Sequence, residues 1–192
     1  MHPVNLERRR LLTASGTATL SAAAVTVLAG WVPGLALAQG SDMSKDVQIL
    51  NVALGLEHEA INAYQLGAKS GLLQKPALDV AILFQAHHKN HRDALIATIE
   101  KLGGRPVTEK TLADYAKALQ ADTLKNQGDV LNLAARLEMG AANAYLGVIP
   151  SFKDAALAKV AARLAADETM HWTALATVLG RPLPVAALSF GA

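Results

Sequence analysis

The chain has 192 residues, with 18 Lys and Arg against 16 Asp and Glu, six histidines and no cysteine. So even a charge balance gives no electrostatic footing for nucleic acid or an anionic membrane surface. The missing cysteines exclude disulfides, iron–sulfur clusters and thiolate metal sites, so any metal would have to be held by His, Asp and Glu.

In chain order, residues 1–38 read as a twin-arginine export signal. Arg8-Arg9-Arg10-Leu11-Leu12 fits the arginine pattern, and residues 11–41 carry no charge and are rich in Ala, Thr, Ser and Gly, hence only mildly apolar. Ala36-Leu37-Ala38 offers a small-residue cleavage site before Gln39. The alternative is an uncleaved anchor, since roughly 20 apolar residues can cross a bilayer, and the leader would then be the chain's membrane contact. With the leader removed, the protein is expected to be periplasmic or otherwise extracytoplasmic. Residues 39–192 would then form one domain, in which the loss of Arg8, Arg9, Arg10 and Glu7 leaves 15 basic and 15 acidic side chains.

Four segments with helical spacing follow, at about 45–70, 77–102, 128–149 and 153–179, rich in Ala and Leu and bounded by Gly or Pro. The connections GLLQKP and Pro150-Ser151 are short, so each pair is predicted to form an antiparallel hairpin. Residues 103–127 join the hairpins. They open with Gly103-Gly104-Arg105-Pro106, and Leu112, Tyr115, Ala116 and Leu119 recur at helical spacing, which predicts a short crossover helix. A link of that length lets the second and third long helices point the same way. The predicted fold is all-α: a four-helix bundle of two hairpins joined by a long crossover.

An internal repeat locates a site. Residues 56–64, LEHEAINAY, recur as residues 137–145, LEMGAANAY, at an offset of 81. At an offset of 80, Phe84, His88, His91 and Leu95 fall on Leu164, Glu168, His171 and Leu175, and Gly104-Arg105-Pro106 is matched by Gly180-Arg181-Pro182 at an offset of 76. The apolar stripes of these helices carry ionisable groups. Leu50, Leu54, Glu57, Ile61 and Tyr64 share one face, and Leu131, Ala135, Glu138, Ala142 and Tyr145 share another. Six potential ligands, Glu57, His88, His91, Glu138, Glu168 and His171, therefore point into one bundle. Buried carboxylates need a neutralising partner, and two divalent ions would serve, with position 88 and Glu168 between them.

The arrangement resembles the ferritin-like superfamily of di-iron and di-manganese carboxylate proteins, in which a Glu from each of two helices joins a Glu-x-x-His from each of the other two. The resemblance covers about residues 45–180, and the leader fits exported members. It implies a dinuclear or mononuclear centre, with iron the first expectation and manganese, zinc or copper the alternatives, and redox chemistry with oxygen or peroxide. Metal storage without turnover, which would call for a homo-oligomeric shell, and a metal-free role in stress protection are the competing readings. Only Glu168-Thr169-Met170-His171 is a full Glu-x-x-His; His88 stands where the superfamily has a bridging Glu. That departure leads to the expectation of unequal metal positions, with the Glu168 and His171 side tighter. His87 forms an i, i+4 pair with His91 and competes with His88 for the ligand role, although the repeat places it beside the site. His58 and Glu59 are expected to face solvent or a neighbouring helix. Tyr64 and Tyr145 are expected either to pack in the core or to hydrogen-bond near the site, where a radical role is the further alternative.

Overall fold

The computed structural model describes residues 45–191; the leader expected over residues 1–38 lies outside the described residues. Five α-helices follow in order: α1 Lys45–Lys69, α2 Lys75–Lys101, α3 Leu112–Ala118, α4 Gln127–Val148 and α5 Ala155–Val178. They coincide with the predicted segments to within about two residues, the margin by which helix ends fray. No strand occurs among the described residues, and no helix there is long and apolar enough to cross a membrane.

The helix ends are set by local chemistry. Thr111 and Asp114 form a reciprocal capping box on α3. The Asn126 side chain accepts from the Asp129 N–H at 3.0 Å, and that of Asp154 from the Ala156 N–H at 2.7 Å. The long helix of each copy that carries the paired candidate residues, α2 and α5, ends on a left-handed glycine. Gly103 (φ +76°) donates to Glu100 O and Gly104 to Ile99 O, both at 2.9 Å; Gly180 (φ +66°) donates to Thr177 O at 3.1 Å and Arg181 to Ala176 O at 2.9 Å. Both are Schellman turns. Gly180 therefore has Gly103 as its structural counterpart, one residue away from the match that Gly-Arg-Pro suggests.

The bundle is sealed at two levels. One apolar cluster gathers Leu50, Leu54, Leu95, Ile99, Tyr145 and Leu164; the other gathers Tyr64, Phe84, Leu131, Ala135, Trp172 and Leu175. The first takes its residues from the start of α1, the end of α2, the end of α4 and the start of α5. Hence α2 and α4 run the same way, as the long crossover allows. Helix α3 covers the outside, with Tyr115 and Leu119 against Ala63 and Leu133. Residues 105–109 are tied along α1: Asn51 donates to Arg105 O at 3.1 Å and accepts from Val107 N at 2.8 Å, and Asn62 donates to Glu109 Oε1 at 2.6 Å. The second copy repeats the device, since Asn132 accepts from Arg181 and Asn143 from the Gly191 N–H.

Gly104 is confined by this packing: a Cβ there would run into Val47 Cγ1 and approach Ile99 Cγ2 at 3.1 Å and Ile99 O at 3.2 Å. Val47 and Ile99 are both fully buried and β-branched, so neither can swing aside cheaply. By contrast a Cβ on Gly140, inside α4, meets nothing within 4 Å. Gly104→Ala is expected to destabilise the chain by about 1–3 kcal/mol, whereas Gly140→Ala should stabilise it by about 0.5–1 kcal/mol through helix propensity. Thermal denaturation of the two variants checks the opposite signs.

Candidate metal centre

Between the two apolar clusters, the repeated stripes deliver Glu57 from α1, His88 and His91 from α2, Glu138 from α4, and Glu168 and His171 from α5. All six are buried, His91 the most exposed at 8%. They form two overlapping groups: Glu57, His88, His91 and Glu168 offer donor atoms within 4.8 Å of one another, and so do His88, Glu138, Glu168 and His171. His88 and Glu168 belong to both. His88, rather than His87, is thus the central histidine of the sequence HHKNH. Its Nδ1 lies 2.8 Å from Glu57 Oε2 and its Nε2 3.2 Å from Glu138 Oε1, one nitrogen for each group.

Glu168 tests whether a cation suits this donor set. Both its oxygens are buried without a hydrogen-bond partner. His91 Nδ1 stands 3.3 Å from Oε1 and His171 Nδ1 3.2 Å from Oε2, within ion-pair distance and close enough to share an ion. A buried carboxylate left in this way is costly, and a divalent cation among its neighbours removes the cost. The residues fit a metal made for oxygen and imidazole ligands.

The electrostatics divide the cluster. Burial by itself would raise Glu57 and Glu138, but bonds from His88 with His91, and from His171 with His88, more than offset it and hold both carboxyls below their ordinary range. Burial dominates at Glu168, whose pKa is raised. The histidines move the other way. Burial disfavours their charge, yet Glu138 and Glu57 lift His88 well above the ordinary value, Glu168 and Glu57 lift His91 to about 10, and Glu138 and Glu168 lift His171. Protons on imidazoles neutralise the carboxylates when no other cation does.

Four residues surround the six. The Tyr64 hydroxyl from α1 donates to Glu138 on α4, and the Tyr145 hydroxyl from α4 donates to Glu57 on α1. Each tyrosine thus serves the carboxylate of the other copy, in an antiparallel register. The same exchange links α2 and α5. His91 Nε2 donates to Asp167 Oδ2 at 3.2 Å, and His171 Nε2 lies 2.9 Å from His87 Nδ1. Such outer partners keep Nδ1 of both histidines turned inward. Asp167 lies outside every ligand motif of the sequence, although it aligns with His87 at the offset of 80.

Other expectations resolve similarly. Tyr64 and Tyr145 are hydrogen-bonded at the site as well as packed. His58 is buried against the crossover, its Nε2 donating to Val107 O at 3.3 Å. Glu59 is half-buried, and burial pushes its carboxyl up to about 7 despite Lys110 and Arg136 nearby. The two groups are equal in donor count, each holding one Glu, one His and the shared pair. Their asymmetry lies one layer out, where Asp167 backs His91 and neutral His87 backs His171.

This architecture has relatives. Residues 45–181 match the ferritin-like domain family, a span that contains all four long helices and all six clustered residues. No curated protein matches the chain significantly. Among solved structures, a conserved hypothetical protein, rv2844, from Mycobacterium tuberculosis is similar at a TM-score of 0.59 and 22% identity, over 74% of this chain and 96% of that one, a likeness of fold. With its all-helical bundle and its buried Glu/His cluster, the chain belongs to the ferritin-like domain family.

Proposed function

We propose that the chain is an exported ferritin-like metalloprotein whose Glu/His cluster holds two adjacent divalent ions for redox chemistry with oxygen or peroxide. The observation that carries this reading is Glu168, a carboxylate shared by two donor groups and buried with both oxygens unpartnered. Glu57 and His91 would hold one ion and Glu138 and His171 the other, with Glu168 and His88 between. Iron is the first candidate and manganese the second, while three imidazoles make zinc and copper stronger competitors than in an all-carboxylate site. A pair of redox-active ions, when bound, supplies the electron exchange that oxygen or peroxide needs.

The chain's own residues do the rest. Tyr64 and Tyr145 fix Glu138 and Glu57, Asp167 and His87 aim the imidazoles of His91 and His171, and the two apolar clusters keep bulk water from the centre. The export half of the proposal is motivated by Arg8-Arg9-Arg10 and the uncharged stretch after it, with residues 1–38 as a cleaved leader. Replacing Arg8 and Arg9 by Lys is expected to leave uncleaved precursor in the cytoplasm, seen by fractionation; unchanged export would remove that half.

Glu168→Gln separates a metal ligand from a structural carboxylate. The substitution keeps the shape but removes a buried ion-pair partner of His91 and His171, so the metal-free chain is expected to lose up to about 3–5 kcal/mol, and metal is measured on protein shown to be folded by helical circular dichroism. Metal content measured by elemental analysis should fall for both positions at once. The stabilisation by added metal, about 3–4 kcal/mol when the ion is at 100–1,000 times its dissociation constant, should vanish with it. Undiminished stoichiometry in Glu168→Gln would overturn the site.

Protons and ions compete for the cluster, which fixes a pH dependence. His88, His91 and His171 have pKa values raised above the ordinary 6.5, His91 to about 10. In the metal-free chain their stabilising contribution is therefore fully present below about 6.5 and is lost as pH rises through the folded values, up to about 10 for His91. Metal must displace these protons. Manganese or zinc added to chelator-stripped protein near neutral pH should release protons to an indicator dye, and the gain in melting temperature on loading should grow with pH across that window. Uptake without proton release would contradict the proposed ligands.

A further inference from the structure

One to two helical turns from the candidate ligands, α1, α2, α4 and α5, with Leu124 of the crossover, leave an apolar cleft of about 240 Å³ whose mouth is rimmed by the exposed Val80, Ala174 and Val178. Leu131 and Ala134 precede Glu138 on α4, Leu175 follows His171 on α5, and Tyr64 follows Glu57 on α1; Ala77 and Ala81 of α2 close the opposite wall. The lining is almost wholly apolar. Tyr64, Gln74 and Gln127 are its polar members, and no charged side chain lines it.

Tyr64 belongs to two places at once. It lines the cavity, and its hydroxyl is engaged on Glu138. An apolar cavity of roughly 150 Å³ stays dry and accepts benzene, whereas drug-sized ligands occupy pockets from roughly 300 Å³ upwards. The cavity falls between these. A helix, about 10 Å across with its side chains, is too wide to enter it.

We infer that this cavity is a binding site for a small uncharged apolar molecule, larger than a single aromatic ring and smaller than a drug-sized ligand, held beside the candidate metal centre with Tyr64 between the two. The site stands on the cavity and its lining. It does not require that metal be bound, so its occupation and the metal reading can fail separately.

The test is a fluorescence titration of the full chain with N-phenyl-1-naphthylamine, a neutral apolar probe, in chelator-stripped and metal-loaded protein. Saturable binding at one probe per chain is expected in both states. Ala77→Phe and Ala174→Phe each place a ring in the cavity from positions that are not fully buried, so the fold should survive, as checked by helical circular dichroism. Each is expected to weaken the probe by about tenfold or more, while Leu102→Ser, an exposed apolar position away from the cavity, leaves it unchanged. The inference is overturned if the wild-type chain shows no saturable binding, or if both folded phenylalanine variants bind the probe like wild type. It is equally overturned if sedimentation shows a dimer that these substitutions dissociate and that leaves no room for probe, since the cavity would then be covered by a second copy.

Discussion

Three carboxylates, Glu57, Glu138 and Glu168, sit in the middle of an apolar bundle with almost no access to solvent, and every polar side chain near them is placed to answer their charge. Water cannot solvate them, so positive charge must. Three imidazoles supply it through protons in the metal-free chain, and a pair of divalent ions supplies it in the proposed holoprotein. The constraint extends outward: His91 needs Asp167 to hold its second nitrogen, His171 needs His87, and the two tyrosine hydroxyls occupy the carboxylate oxygens that face them. An apolar cluster on either side of this layer keeps the local dielectric low, which strengthens each of these contacts and makes each unpaired atom costly.

The duplication explains how so many groups converge. A single hairpin carries one Glu on its first helix and two ionisable groups at i and i+3 on its second, too few to complete either donor group. Stacking two copies makes the outer contacts an exchange between them, Tyr64 with Glu138 and Tyr145 with Glu57, His91 with Asp167 and His171 with His87, while His88 with Glu57 and His171 with Glu138 meet within a copy. Among the six clustered residues and their four outer partners, the copies differ at two aligned pairs, His88 against Glu168 and His87 against Asp167. Both exchange an imidazole for a carboxylate. The first pair sets the charge of the centre, and the second sets how strongly each inward histidine is polarised from behind.

The ends of the bundle serve the middle. Residues 105–109 are strapped to α1 by Asn51 and Asn62, and His58 adds its own bond to Val107 O, which holds the crossover flat over the helix that carries Glu57. At the opposite level the apolar stripes are less completely filled, and the cavity there touches the centre through Tyr64. An approach from that end meets a phenol before it meets a carboxylate. The cavity shares Ala63, Leu124, Leu133 and Leu137 with the cluster beneath α3, so it lies between that cluster and the start of α2.

The sequence by itself determined the helices, the hairpin pairing and five of the six clustered residues without ambiguity. Those features follow from periodicity: a stripe at 3.6-residue spacing that contains Glu57 or Glu138 must bury it, and a repeat at 80 or 81 residues must place the copies in equivalent environments. The choice between His87 and His88 was open, because adjacent residues on a helix differ by only about 100° in direction, and either could have met the facing helices. Tertiary packing decided it by setting the rotation of α2 against α1, α4 and α5, which put His88 between Glu57 and Glu138 and His87 against His171. The same packing revealed Asp167, whose residue type on a half-exposed helix face is indistinguishable in sequence from ordinary solvated charge. It also moved the equivalence of the capping glycines to Gly103 and Gly180. Local periodicity fixes which way a side chain faces from its own helix; which group it then meets depends on the angle and register of another helix, and no one-dimensional pattern contains that.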